Sequence, residues 1–202
     1  MDQQVHRTFL NRYYGLSRHI YDTTRKYYLF GRDKIIQILL QEEWTTLIEI
    51  GSGTGRNLRK IQKKRQSASY GGLDASDEML NHAKKRSTNI AFLQGFAEDA
   101  EYRNLLRAPP DRILFSYSLS MIANGRQAIE HALEQLAPGG HIYVVDFADL
   151  SGVPGGFRQA LKRWLKAFHV TPLDITLFNG LNPHIEYGPL HYYVIIRLSK
   201  PS

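Results

Sequence analysis

Three glycines at alternating positions, Gly51, Gly53 and Gly55, follow the apolar run Leu47-Ile48-Glu49-Ile50, and Arg56-Asn57-Leu58 continues as a helix-like stretch. The pattern reads as a strand, a tight turn and a helix N-terminus. Glycine has no Cβ and takes positive φ readily, so such a turn lets a bulky ligand lie directly on the backbone. A dinucleotide fingerprint would place a glycine at position 56, where this chain has Arg56. A carboxylate, Glu49, stands just before the turn, and a second, Asp74, closes the run Tyr70-Gly71-Gly72-Leu73. Asp74 follows Gly55 at nearly the separation of about 20 residues that puts an acid on ribose hydroxyls in nucleotide-binding βαβ units. A carboxylate can accept both hydrogen bonds of a vicinal diol. The plain alternative is a glycine turn that ends a buried strand and binds nothing.

A second constellation lies upstream. Tyr13, Tyr14, Tyr21, Tyr27, Tyr28 and Phe30 are interleaved with Arg12, Arg18, His19, Asp22, Arg25 and Lys26. Helix packing alone does not ask for so many hydroxyls and charges together. A lid over a polar pocket and ordinary helix packing are both open readings.

The elements that would position these residues alternate strand and helix. Asp22 can cap a short helix that Gly31 ends, and Asp33 can cap the next one, which carries Ile35, Ile36, Leu39 and Leu40 at helical spacing. After the glycine turn comes a basic helix with Arg59, Lys60, Lys63, Lys64 and Arg65, read as a solvated face. Ser76 caps a helix with Asp77 and Glu78 in its first turn and Met79 inside it. Further strands are expected at 90–94, 109–117 and 141–147. A helix over 127–136 stops at Ala137-Pro138-Gly139-Gly140, and two closing strands surround Pro189. This alternation predicts a parallel, doubly wound sheet, with ligands beyond the C-terminal strand ends. The glycine turn, Asp74, Gly95 to Glu98, Ser116 to Met121 and Asp146 to Asp149 all fall there. Between 157 and 168, Phe157, Leu161, Trp164, Leu165 and Phe168 share one helix face, flanked by Arg158, Lys162, Arg163 and Lys166. That helix either docks on the sheet or meets a membrane interface.

The chain has 202 residues, 43% of them hydrophobic, enough for one sizeable α/β core. It has no cysteine, which excludes a disulfide framework and a cysteine zinc site. No signal-peptide core is visible at the N-terminus, and no apolar run approaches the roughly 20 residues of a membrane span. A soluble or peripheral protein is therefore expected. The formal charge of +7 attracts anions, among which nucleic acid, anionic lipid and acidic metabolites stay open on composition.

The order of glycine turn, strand-end acid, Gly95-Phe96-Ala97-Glu98 and Leu136-Ala137-Pro138-Gly139-Gly140 resembles the class I S-adenosylmethionine (SAM)-dependent methyltransferases over residues 44 to about 198. The resemblance implies a Rossmann-like α/β fold with a mostly parallel seven-stranded sheet and helices on both faces. It implies one domain over 1–202, with a helical lid at 1–43 and a cofactor-binding core at 44–202. Its cofactor is SAM, its product S-adenosylhomocysteine, and it needs no metal. The implied cofactor residues are Glu49, Gly51, Ser52, Gly53, Thr54, Gly55, Asp74, Ala75, Met79, Ala97, Glu98 and Ser116. Phe96 departs from the family, where many relatives carry an acid near the adenine amino group.

A narrower resemblance joins Arg18 to Asp33, Phe115-Ser116-Tyr117-Ser118-Leu119-Ser120-Met121-Ile122, Val145-Asp146-Phe147 and Phe168-His169-Val170-Thr171-Pro172. These look like the betaine-lipid N-methyltransferases of the BtaB type, which methylate the amine of diacylglyceryl-homoserine three times. The resemblance implies His19, Tyr21, Asp22 and His169 as catalytic candidates. It implies Tyr14, Arg18, Arg25, Tyr28, Tyr117 and Phe147 as acceptor contacts, with Arg18 or Arg25 on the homoserine carboxylate. The implied partners are a diacylglyceryl lipid, an anionic membrane surface and the enzyme that makes diacylglyceryl-homoserine. A cytoplasmic protein, peripheral at the inner face of the membrane, is expected. The alternatives are a soluble amine, phosphatidylethanolamine or RNA as acceptor, or a SAM-binding protein without catalysis. No base-stacking motif accompanies the basic residues, so nucleic acid is not expected.

Overall fold

The computed structural model describes residues 29–167 and 171–201, with the side chains of Trp164, Lys166 and Ala167 outside that description. Twelve regular elements follow one another: α1 (Gly31–Gln41), β1 (Thr46–Ile50), α2 (Arg56–Gln62), β2 (Ser69–Asp74), α3 (Asp77–Lys85), β3 (Ala91–Gln94), β4 (Arg112–Ser116), α4 (Gly125–Gln135), β5 (His141–Phe147), α5 (Gly155–Ala167), β6 (His184–Tyr187) and β7 (Tyr193–Ser199). The strands form one seven-stranded sheet in the order β3-β2-β1-β4-β5-β7-β6. β1 to β5 pair in parallel, and β7 runs antiparallel to both β5 and β6. The order reverses between β1 and β4, so the strand ends there open a crevice.

The central strands are apolar on both faces because helices cover both. One core gathers Ile48, Ile50, Ile113, Phe115 and Ile142 with Ile129 and Ala132 of α4. The other gathers Leu47, Leu114, Tyr143 and Val145 with Ile35, Ile36 and Leu39 of α1.

α1 differs from expectation at its start. Gly31 is the first residue of the helix, and Asp33 lies inside the first turn rather than capping it; the helix expected from Asp22 lies outside the described residues. A Cβ at Gly31 would meet Val145 at 2.6 Å and Tyr193 at 2.7 Å, so the glycine lets the helix start tight against the sheet. Asp33 instead pairs with Lys60 at 2.6 Å. The expected caps of α3 are in place: the Ser76 hydroxyl accepts from the Met79 N–H at 3.4 Å.

The basic helix is only partly a solvated face. Arg59 donates to the Thr54 carbonyl. Arg65 donates to the carbonyls of Trp44, Leu40 and Glu42, with its guanidinium 4.6 Å from the Trp44 ring centre. Lys63 and Lys64 remain exposed. α5 also divides. Leu165 is buried and Leu161 half-buried against the sheet, whereas Phe157 is 77% exposed. No described helix is long and apolar enough to cross a membrane.

Candidate functional site

The glycine turn sits where β1 meets α2. Gly51, Gly53 and Gly55 take φ of +69°, +52° and +71°. The N–H groups of Gly51 and Ser52 donate to the Leu73 carbonyl at 2.8 and 3.0 Å, which ties the turn to the end of β2. The three glycines serve different ends. A Cβ at Gly51 would lie 2.4 Å from Ser118 Cβ, and one at Gly55 would lie 2.9 Å from the Phe92 ring. A Cβ at Gly53 would meet nothing within 4 Å, because it would point into a cavity.

That cavity lies beyond the strand ends. Gly51, Gly53, Asp74, Ala75, Met79, Ala97 and Glu98 line it, as do Phe96, Tyr117, Ser118, Met121 and Ile122. Asp74 stands at its edge. Its Oδ2 accepts from the Gly53 N–H at 2.7 Å and its Oδ1 from the Ser76 N–H at 2.9 Å. An ionised carboxylate can accept several hydrogen bonds at once, so these two backbone contacts do not by themselves exhaust it. Asp74 therefore both shapes the turn and presents acceptors.

Glu49 lies beneath the turn and is 2% exposed. Oε1 accepts from Asn57 Nδ2 at 2.7 Å, and Oε2 is buried with no partner. Burial pushes its pKa up to about 7, against the pull of Asn57 and Arg32 and with a further push from Asp74. A buried carboxylate oxygen without a donor is costly, and among the described residues Oε2 has none.

The wall beyond β4 is built under strain. Tyr117 has φ of +54°. This conformation costs a side-chain-bearing residue roughly 1–2 kcal/mol, and such strain concentrates at functional sites. The Tyr117 hydroxyl accepts from the Gly31 N–H at 3.2 Å, and its N–H donates to the Val145 carbonyl at 2.7 Å. Burial raises its pKa, so it stays a neutral phenol. The Ser118 hydroxyl donates to the Ile50 carbonyl at 2.7 Å. Ser120 gives both its N–H and its hydroxyl to Asp146, at 3.1 and 3.0 Å, and Asp146 is fully buried.

Of the residues singled out in the sequence, Glu49, Ser52, Thr54, Gly55 and Ser116 are buried and are not among the residues that line the cavity. Phe147 is buried and meets Tyr117 edge-to-face at 4.8 Å. Tyr14, Arg18, His19, Tyr21, Asp22, Arg25, Tyr28 and His169 lie outside the described residues. The lining residues Ser118 and Met121 belong to the segment expected at the strand ends, and Ile122 and Ala123 extend it into the cavity wall. Among the described residues, no group of three His, Asp or Glu could hold a metal ion.

A methyltransferase-domain family model matches residues 48–142, just under half of the chain. Across its whole length the chain superposes on the plantazolicin methyltransferase BamL, solved with a desmethyl-plantazolicin analogue and S-adenosylhomocysteine. The TM-score is 0.74 at 14% identity, covering 99% of this chain and 97% of that one. The fold is that of the class I SAM-dependent methyltransferases. A SAM-dependent methyltransferase of Thermotoga maritima, described as a "possible histamine N-methyltransferase", gives a TM-score of 0.68 at 17% identity, covering 94% of this chain and 99% of that one. In sequence, the demethylmenaquinone methyltransferase of Thermotoga maritima is 21% identical over 131 residues, 62% of this chain and 56% of the relative. The trans-aconitate 2-methyltransferase of Acidovorax sp. JS42 is 29% identical over 98 residues, 48% of this chain and 36% of the relative. The chain thus spans about half or less of the length of these curated relatives.

The residues of this methyltransferase fold suit SAM group by group. The unpartnered Glu49 Oε2 suits an ammonium, Asp74 suits a ribose diol, and Met79, Ala97, Phe96 and Ile122 suit the faces of a purine.

Proposed function

We propose that this chain is a SAM-dependent N-methyltransferase, with the amine of diacylglyceryl-homoserine as its acceptor. The observation that carries the cofactor half is the pair of carboxylates on either side of the glycine turn, Glu49 with a donorless buried oxygen and Asp74 at the cavity edge. Bound SAM supplies an electrophilic methyl group on its sulfonium. To accept that methyl group the acceptor nitrogen would have to arrive with its lone pair free of a proton. The chain's part is chiefly positioning. The glycine turn and Asp74 fix the nucleoside, and the segment from Tyr117 to Ile122 closes the side from which an acceptor approaches. The acceptor half rests on the resemblance to the betaine-lipid enzymes.

Glu49 gives this reading a pH signature. In the free protein its raised pKa keeps Oε2 protonated below about 7. Pairing with the cofactor ammonium requires the carboxylate, so the proton must leave on binding. SAM affinity should therefore fall as pH drops from 7 to 5, by up to about tenfold per unit. Above 7 this dependence should flatten. Calorimetric titration across that range checks it, and Glu49→Gln should bind weakly with no such slope. A wild-type affinity that is constant from pH 5 to 7 would remove Glu49 from the ammonium site.

A two-chain lipid acceptor must be met at a bilayer surface. Phe157 is exposed on α5 near exposed Lys162 and Arg163, the combination of apolar insertion and cationic attraction that favours an anionic interface. The test uses vesicles containing diacylglyceryl-homoserine and anionic lipid with methyl-labelled SAM. Label should move into the lipid fraction, and Phe157→Glu should lower vesicle partitioning about tenfold or more, in line with the roughly 1.5–3 kcal/mol of a buried Phe. Binding without label transfer would overturn the acceptor. No vesicle binding at all would favour a soluble amine.

A further inference from the structure

The positive charge of the chain is concentrated in one stretch. Residues 56–97, which run through α2, β2, α3 and β3, hold nine Lys and Arg and three acids, so they carry six of the formal net charge of +7. The other 160 residues are nearly balanced. Within the stretch the signs are sorted by position. The acids Asp74, Asp77 and Glu78 stand at the end of β2 and in the first turn of α3, which is the cavity end. The cations gather toward the far ends of the two helices, in the segments 59–65 and 84–86, which contain no acid.

The fold brings those two ends together. β1, β2 and β3 are parallel neighbours, and right-handed crossovers place α2 and α3 on the same face of the sheet. Each helix returns to the start of the next strand, so both end side by side, away from the cofactor cavity. Gln62, the last residue of α2, donates to the Asn89 carbonyl in the loop after α3 at 2.9 Å. Arg59, Lys60 and Arg65 are engaged within the protein. Lys63, Lys64, Lys84, Lys85 and Arg86 are exposed, and among the described residues none of the five forms an ion pair. Gln66, Ser67, Ser69, Thr88 and Asn89 are exposed beside them. No large apolar side chain of this stretch is exposed. A cation or two complements the dipole at each helix C-terminus, but that role does not require a surface free of acids.

We propose that the adjoining ends of α2 and α3 bind nucleic acid through its phosphate backbone, without preference for sequence. The composition of the surface favours this partner. Lys, Arg, Ser, Thr, Asn and Gln are side chains that meet phosphate and sugar oxygens. A protein partner calls for an aromatic or apolar interface centre, from which Lys is depleted, and this surface offers no such centre. Base stacking, whose missing motif spoke against nucleic acid in the sequence, is not needed for backbone contacts, which are electrostatic. A bilayer held at this end would face away from the cavity in which a lipid acceptor must react. Nucleic acid bound here is therefore an anchor for the protein and not the methyl acceptor, and the proposal stands apart from the methyl-transfer reading.

The test follows the fluorescence anisotropy of two labelled 20-base-pair DNA duplexes of unrelated sequence as the full chain is added. Both should bind within twofold of each other, with dissociation constants of about 10⁻⁴–10⁻⁶ M at physiological salt. Five phosphate contacts give a slope of log affinity on log salt of about −4.5. The double variant Lys64→Glu/Lys85→Glu should weaken binding at least tenfold and flatten that slope by about two. Arg103→Glu/Arg107→Glu makes the same change in net charge at exposed positions outside the surface and should stay within threefold of wild type. Melting temperatures that match wild type show that both variants fold. Equal weakening by the two double variants would mean that net charge alone attracts the duplex, and would overturn the proposal. So would no binding to either duplex, or a tenfold preference for one sequence. Loss of binding to phosphatidylserine vesicles in Lys64→Glu/Lys85→Glu, with duplex binding kept, would overturn it in favour of a membrane.

Discussion

Replacing Gly53 by valine is expected to weaken SAM binding at least a hundredfold while leaving the fold intact. Two effects combine. Gly53 has φ of +52°, a conformation in which a side chain costs roughly 1–2 kcal/mol, and a β-branched one is especially ill-suited. The new side chain would then project into the cavity, since a Cβ there meets no protein atom within 4 Å. The protein has room for valine and the ligand does not. Gly51→Ala makes the contrast, because its Cβ would lie 2.4 Å from Ser118 Cβ. That variant should lose stability as well as binding, in the range of about 1–3 kcal/mol for overpacking. Calorimetric titration with SAM and thermal unfolding separate the two cases. Wild-type affinity in Gly53→Val would place the cofactor elsewhere.

Asp74→Ala should produce a loss of similar size. The carboxylate accepts the Gly53 N–H at 2.7 Å and the Ser76 N–H at 2.9 Å while facing the cavity. Hydrogen bonds to a charged group are each worth about 1.5–3 kcal/mol, so losing two from the cofactor weakens binding by about a hundredfold or more. Asp74→Asn is not a conservative control. Whichever oxygen becomes an amide nitrogen would set a donor against a backbone N–H, at Gly53 or at Ser76. Both variants should bind SAM weakly, and Asp74→Asn should also melt earlier than wild type. An affinity within threefold of wild type for Asp74→Ala would mean that the side chain only shapes the turn.

Much of this site was legible in one dimension. The glycine spacing, the acid at the second strand end and the Ser76 cap are local patterns, and local patterns survive folding because their causes lie within a few residues. Fold class followed from the strand–helix alternation for the same reason. What escaped depended on distant neighbours. Nothing near Gly31 in sequence shows that Val145 and Tyr193 need its missing side chain. Arg59 and Arg65 resemble a solvated face until Thr54 and the carbonyls near Trp44 are brought alongside. α5 has one apolar stripe in sequence, yet its start leaves the sheet and its later turns pack against it.

The most direct test of the central claim is a crystal structure of the full chain with S-adenosylhomocysteine. The ribose hydroxyls should lie within hydrogen-bonding distance of the Asp74 carboxylate. The amino group should stand over the glycine turn toward Glu49 Oε2, and the adenine should lie among Met79, Phe96 and Ala97. Density for the ligand outside this cavity, or a ribose with no contact to Asp74, would contradict the account.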